Sequence, residues 1–339
     1  MGAFESFQPG AANSMFLFSL VNDWQRGFPI EPRPFDVIAK ACAESPVRVR
    51  EAFGQLLADG TVSRIGGVFG LHAGGAGLLC AMSVPPERIE AVAAQINAES
   101  GVNHNYEREH ALNLWFVATA PDRPAVQALV RRIESRAGLA VISLPMQRAY
   151  RIDLGFDLRL GRGVQSGATA QCTTRLKPAP VPSQWRPLAA RLELGLPVAE
   201  RPYQRIGFDV DRSEEEVVDV LQRWTTDGTL RRFGVIVRHH ELGWAHNAMT
   251  VFSVPDHQVD AAGARLAAQE GVHLCYQRER ATGWPHNLYC MVHGRSRADV
   301  IELVDRATDG SRLIDVPREI LFSTRRFKQT GSRYFAGAT

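Results

Sequence analysis

The run Val102-Asn103-His104-Asn105-Tyr106-Glu107-Arg108-Glu109-His110 sets two histidines, a tyrosine and an arginine at alternate positions. Side chains of an extended chain alternate between faces. His104, Tyr106, Arg108 and His110 therefore point one way, and Asn103, Asn105, Glu107 and Glu109 point the other. Neither face is apolar, although a strand backed by helices needs one that is. Imidazoles that titrate near neutral pH beside guanidiniums suit proton transfer next to an anionic ligand. Metal ligation fits less well, because no His-x-His or His-x3-His pair with a supporting carboxylate stands out. A purely structural account also exists, since charged edge strands discourage aggregation.

A second stretch answers the first. Leu274, Tyr276, Arg278 and Arg280 occupy the matching face, and Trp284-Pro285-His286-Asn287-Leu288-Tyr289 opens the next strand. His273, His286 and His293 fall in this second hairpin, so five of the ten histidines lie in two equivalent places. Agreement at Tyr, Arg and Asn with divergence at His points to two related but unequal sites.

These hairpins belong to an internal duplication. Asp59-Gly60-Thr61-Val62 is answered by Asp227-Gly228-Thr229-Leu230, Ser83-Val84-Pro85 by Ser253-Val254-Pro255, Gly101-Val102 by Gly271-Val272, and Asn113-Leu114 by Asn287-Leu288. The order is kept, and the offset grows only from 168 (Asp59 to Asp227) to 174 (Asn113 to Asn287). Between the copies, a Gly/Ser/Thr/Pro-rich stretch over 156–185 reads as a solvated tether that lets the copies pair.

Each copy must position its hairpin with two kinds of element. Helix signals over Phe35 to Ala43 and after Ser45-Pro46 precede a β-wing from Val62 to Leu71. In copy 2, Ser213 and Glu216 form a capping-box pattern ahead of Val217, Val220, Leu221 and Trp224. Helix, turn, helix, wing is a winged helix-turn-helix. Strand and helix signals then alternate as βαββαβ: in copy 1 strands near 78–84, 102–109, 112–119 and 139–147, and in copy 2 near 247–254, 272–280, 286–293 and 312–322. That order makes a ferredoxin-like sandwich whose second strand lies at the sheet edge. The expected architecture is α+β, with winged helices at 1–75 and 186–243 and sandwiches at 76–155 and 244–339.

The 339 residues are 45% hydrophobic and 22% charged, with a net charge of +3, which suits a folded chain rather than a polyelectrolyte. Five cysteines without CxxC spacing give neither a disulfide framework nor a zinc finger. There is no long apolar run and no signal-peptide pattern, so the expected location is the cytoplasm, away from membranes. The winged helices raise a DNA-binding alternative. Against it, the second helix of copy 2 carries Glu214, Glu215, Glu216, Asp219 and Asp227 with Arg223 alone in opposition, and phosphates repel such a surface.

Winged helix followed by βαββαβ resembles the Lrp/AsnC regulators, whose sandwiches bind amino acids and dimerise. The motifs His104-Asn105-Tyr106-x-Arg108-x-His110-x-x-Asn113-Leu114-Trp115-Phe116 and Tyr276-x-Arg278, then Trp284-Pro285-x-Asn287-Leu288-Tyr289, resemble the two subunit types of the siroheme decarboxylases, over roughly 15–330. The resemblance implies a fusion whose two repeats pair with each other, with a homodimer as a further option. It implies cofactor-free removal of carbon dioxide from the two acetates of siroheme, giving didecarboxysiroheme for haem d1 biosynthesis. His104, His110 and His286 are the implied proton donors. Tyr106, Arg108, Asn113, Tyr276, Arg278, Trp284 and Asn287 are implied to line the tetrapyrrole site. His273, His246 and Arg232, with Arg238 beside it, are further contact candidates.

Two positions depart from the family pattern. Leu274 stands where the family has histidine, with His273 one step away on the other face, and His286 stands where it has tyrosine. Either one pocket is catalytic, or His286 replaces the histidine that Leu274 has displaced. A DNA-binding regulator, a tetrapyrrole sensor and a tetrapyrrole carrier are the alternatives to an enzyme.

Overall fold

The computed structural model describes residues 12–70, 73–152, 156–157, 162–163, 180–237 and 246–335. Most of the expected tether therefore lies outside the described residues, as does Arg238. The chain divides into two compact units: 1–74 with 165–243 and 335–339, and 75–164 with 244–334.

The first unit gathers the winged helices of both copies. It contains α1 (Ala12–Asn22), α2 (Pro34–Cys42), α3 (Pro46–Ala58) and β1 (Val62–Phe69), then, from copy 2, α6 (Arg186–Leu194), α7 (Pro202–Asp209), α8 (Glu214–Thr226) and β8 (Leu230–Val237). The Ser45 hydroxyl caps α3 by accepting the Arg48 N–H, with Pro46 at a first-turn position that needs no donor. α8 starts with the full Ser213–Glu216 capping box. The wing differs from expectation. β1 pairs antiparallel with β8 of the other copy, so the two copies share one two-stranded sheet. Phe28, Phe35, Phe53, Tyr203 and Phe233 fill the space behind it.

The second unit comprises β2 (Ala76–Met82), α4 (Ile89–Ala98), β3 (Val102–Arg108), β4 (Leu114–Ala120), α5 (Arg123–Ala137) and β5 (Ile142–Ile152), with two-residue strands β6 (Phe156–Asp157) and β7 (Arg162–Gly163). Copy 2 supplies β9 (His246–Phe252), α9 (Val259–Ala267), β10 (Val272–Arg278), β11 (Leu288–Gly294), α10 (Arg297–Gly310) and β12 (Arg318–Gln329). Each copy forms the expected four-stranded sheet with two helices on one face. The second strand is not an edge, however. β3 pairs with β12 and β10 pairs with β5, which closes the eight strands into a barrel in the order β10-β11-β9-β12-β3-β4-β2-β5. Closure satisfies backbone groups that two separate sheets would leave unpaired. It also needs longer last strands than the sequence suggested: β5 runs on to Ile152 and β12 to Gln329.

Three apolar layers follow. Leu78, Cys80, Met82, Leu114, Phe116 and Ala118 face α4 and α5, and Cys275, Leu288, Cys290 and Val292 face α9 and α10. The alternate positions turn inward, where Ala81, Trp115, Leu144, Met249, Val251, Trp284, Tyr289 and Leu321 form a core drawn from both copies. At the β5–β10 seam, Tyr150 lies so close over α9 that a Cβ at Gly263 would come within 2.3 Å of its ring.

Candidate active site in the barrel

The inward face of β3 carries His104, Tyr106 and Arg108, because Tyr106 pairs with Trp115 and His104 with Val117. The outward face meets α4, where the Asn105 amide donates to the Ala93 carbonyl and to Asn97 Oδ1. The polar helix-facing side noticed in the sequence is thus a hydrogen-bonded packing position. Across the seam, β12 sets Gln329 opposite His104, Arg326 opposite Tyr106 and Ser323 opposite Arg108.

Arg108 and Arg278 are pseudo-twofold mates. Arg108 Nη1 donates to the Leu321 carbonyl at 2.8 Å, and Arg278 Nη1 donates to the Leu144 carbonyl at 2.9 Å. Each bond crosses from one copy to the other. The guanidiniums lie over Tyr106 and Tyr276 respectively, a favourable cation–π arrangement. Nε of each has no hydrogen-bond partner among the described residues. Burial lowers both pKa values, that of Arg108 to about 10, because a cation is poorly solvated there. Cations held in this way, with donors to spare, suit carboxylates.

The histidines separate into three places. His104 Nδ1 lies 3.1 Å from Asn103 Oδ1, and its ring stacks beside Tyr106. His110 lies beyond the other end of β3. Its Nδ1 accepts the Leu112 N–H at 2.8 Å, and its Nε2 lies 2.7 Å from Glu319. The other oxygen of Glu319 lies 3.1 Å from Nε2 of His286, whose Nδ1 contacts the Ser253 hydroxyl at 2.9 Å. Trp284 packs against both rings and donates its indole N–H to the Tyr289 hydroxyl. His273 occupies a β-bulge between Val272 and Leu274, and its ring packs edge-on against His293, a residue of the inner face. The expected opposite-face placement of His273 fails because a bulge breaks strict alternation. Desolvation, with Arg108 nearby, lowers the His293 pKa to about 4.

Other candidates have structural roles. Asn113 receives the Val84 N–H and donates to the Val84 carbonyl, and Asn287 clamps Val254 in the same way. Each amide thus bridges both backbone groups of one residue, a structural role that the sequence did not suggest. Arg280 is tied to Asp256 and to the carbonyls of Pro285 and Val254. His246 is exposed at the start of β9, opposite Gly294. Arg232 belongs to the first unit, where it is buried beside Arg26, Phe28 and Gln222. The sequence reading missed Glu319 and Arg326. The signal for Arg326 was the run Ser323-Thr324-Arg325-Arg326-Phe327-Lys328, which continues the strand past 322. Glu319 carried no signal, since its partners come from distant hairpins. Among the described residues, no group of three or more His, Cys, Asp or Glu is arranged to hold a metal ion, and no helix is long and apolar enough to cross a membrane.

Comparison with known proteins agrees with this layout. Residues 72–151 and 241–328 match the AsnC-like ligand binding domain, and 188–231 match the siroheme decarboxylase NirDL-like HTH domain. A siroheme decarboxylase NirDL subunit of Paracoccus denitrificans (strain Pd 1222) is 42% identical over 314 residues, spanning 92% of this chain and 95% of that protein. A siroheme decarboxylase NirL subunit of Stutzerimonas stutzeri is 49% identical over 144 residues, which cover 42% of this chain and 85% of the subunit. The crystal structure of the siroheme decarboxylase NirDL in co-complex with an iron-uroporphyrin III analogue superposes with a TM-score of 0.67 at 26% identity, covering 96% of this chain and 95% of that one. With such identity along nearly its whole length, the chain belongs to the siroheme decarboxylase family and is a decarboxylating enzyme.

Proposed function

We propose that this chain removes carbon dioxide from the two acetate side chains of siroheme, giving didecarboxysiroheme for haem d1 biosynthesis, without an added cofactor. The observation that carries this reading is the pair of buried, seam-crossing arginines, Arg108 and Arg278, each with an unused Nε donor, in a barrel that also holds acid–base histidines. An eight-carboxylate macrocycle needs such cations. Tyr106, Tyr276 and Arg326 lie on the same inner face and would contact the ring and its side chains. The similarity to a protein crystallised with an iron-uroporphyrin analogue supports a tetrapyrrole as ligand.

Each acetate needs a proton and an electron sink. Protonating the macrocycle provides the sink, and a histidine supplies the proton near neutral pH. Arginines would hold the remaining carboxylates, while a dry wall of Trp115, Trp284 and Leu321 favours loss of the reacting charge. Anaerobic incubation with siroheme should shift its visible absorption on binding, and mass spectrometry should show two successive losses of carbon dioxide. An unchanged mass after confirmed binding would sink the proposal and leave a carrier or sensor.

A further inference from the structure

Glu319 links two histidines that come from different copies, and the three side chains differ in exposure. The Glu319 side chain is 42% exposed, that of His110 is 23% and that of His286 is 5%. The carboxylate is therefore the member that faces outward. The Nδ1 atoms decide what each histidine can carry. Nδ1 of His110 accepts a backbone N–H, so Nε2 is the nitrogen that donates to Glu319. Nδ1 of His286 meets a hydroxyl, which can donate or accept, so His286 can hold a proton on both nitrogens. Other charged or titratable groups around it are His110, Tyr289, whose hydroxyl donates to the His286 carbonyl, and the Asp256–Arg280 pair beside Pro285 and Asn287.

The equivalent seam lacks all of this. Matching the repeats places Arg280 where copy 1 has His110, Leu112 where copy 2 has His286, and Ile142 where copy 2 has Glu319. Arg280 is bound to carbonyls and to Asp256, while Leu112 and Ile142 pack on the inner core.

We propose that Glu319 is a proton-relay residue, that buried His286 feeds it, and that both decarboxylations use this one seam. The assignment rests on the decarboxylase reading above. A protonated His286 with an ionised Glu319 has no net charge, so the pair does not repel an acetate. In the reaction, the bond from the methylene carbon to the carboxyl breaks, carbon dioxide leaves, and the electron pair remains with the carbon. The proton held by His286 passes to Glu319, and Glu319 gives it to the carbon to complete the methyl group. His286 then takes a proton from water through the Ser253 hydroxyl, which restores the starting pair. One proton is consumed per carbon dioxide, with no change of oxidation state. His110 donates to the second oxygen of Glu319 and holds its orientation.

The test compares wild type with Glu319→Gln and Glu319→Asp in the full chain, using siroheme under anaerobic conditions. Glu319→Gln should bind siroheme with unchanged affinity, read by the absorption shift. Its turnover should fall about a hundredfold or more, equally for both losses and without build-up of the monodecarboxylated product. Glu319→Asp should recover part of the rate and show that the effect is not misfolding. Wild-type turnover in Glu319→Gln, or accumulation of the monodecarboxylated product, overturns the relay or the single seam while leaving the decarboxylase reading intact. Histidine NMR reads the coupling without turnover. Loss of the carboxylate should shift the resonances of the His286 ring nitrogens, and unmoved resonances overturn the relay even if siroheme is not the substrate.

Discussion

The barrel has two seams made from repeat-equivalent pairs of strands, and they are filled differently. At the β3–β12 seam the inner-face partners of His104, Tyr106 and Arg108 are Gln329, Arg326 and Ser323. At the β5–β10 seam the partners of Leu274, Tyr276 and Arg278 are Ile152, Ala149 and Met146. Both seams keep the arginine that crosses to the other copy's carbonyl, and both copies keep the asparagine clamp. Features retained twice are those the closed barrel needs twice. On the inner face, ionisable groups gather at the β3–β12 seam, as expected when duplication frees one copy to serve mainly as scaffold.

The largest expected effect separates the two arginines. Methionine roughly matches the arginine stem in volume and removes the cation. Arg108→Met should weaken siroheme binding about a hundredfold, close to 3 kcal/mol, the scale of hydrogen bonds to a charged group. Arg278→Met, at the apolar seam, should cost about tenfold. Relief from burying a charge offsets the lost bond to the Leu321 or Leu144 carbonyl, so thermal stability should change by less than about 1 kcal/mol. Equal losses of affinity, read by siroheme titration, would break the comparison and show a ligand shared evenly between the seams.

The asparagine clamps sharpen the scaffold half of the argument. Asn113→Leu or Asn287→Leu strands the N–H and carbonyl of Val84 or Val254, and each should lower stability by about 2 kcal/mol in urea unfolding. Siroheme affinity of the folded protein should hold. A fall in affinity at unchanged stability would restore the ligand-contact role that the motif resemblance implies.

Those clamps also show what the sequence could reveal. Collinear repeats exposed the duplication, the Ser213–Glu216 capping box and the apolar periods located the helices, and the alternation along β3 located His104, Tyr106 and Arg108. Agreement between repeats marked Asn113 and Asn287, but it could not tell a ligand contact from a backbone clamp, because Val84 lies 29 residues away from Asn113. The edge assignment of β3 failed for a related reason. A polar strand looks the same in sequence whether it faces water or pairs with a distant strand, and only the extension of β12 past 322 hinted at closure. Glu319 became visible when β12 joined β3, and His273 moved against His293 through a bulge that strict alternation does not foresee.

His293 supplies the smallest effect and a way to test how enclosed the richer side is. Its pKa falls from 6.5 to about 4, chiefly because burial disfavours the imidazolium and secondly because Arg108 is close. Above pH 6.5 the ring is neutral in both folded and unfolded chains, and its contribution to stability is fully present. As pH falls from 6.5 towards 4, the unfolded chain takes up a proton that the folded chain refuses, and stability is lost. Linkage puts that loss at about 2 kcal/mol between pH 7 and pH 5. The repeat-equivalent residue is Thr119, whose hydroxyl donates to the Gly101 carbonyl, so that position in copy 1 has nothing to titrate. Urea midpoints at the two pH values should therefore show a pH slope in wild type that shrinks in His293→Phe, while Thr119→Val shifts stability equally at both. If His293→Phe keeps the full slope, the acid sensitivity belongs to other groups, and His293 is open enough to water to bind a proton in the folded barrel. The β3–β12 side would then be a solvated polar surface, and the dry pocket required for losing a carboxylate would have to be sought among the residues around Arg278.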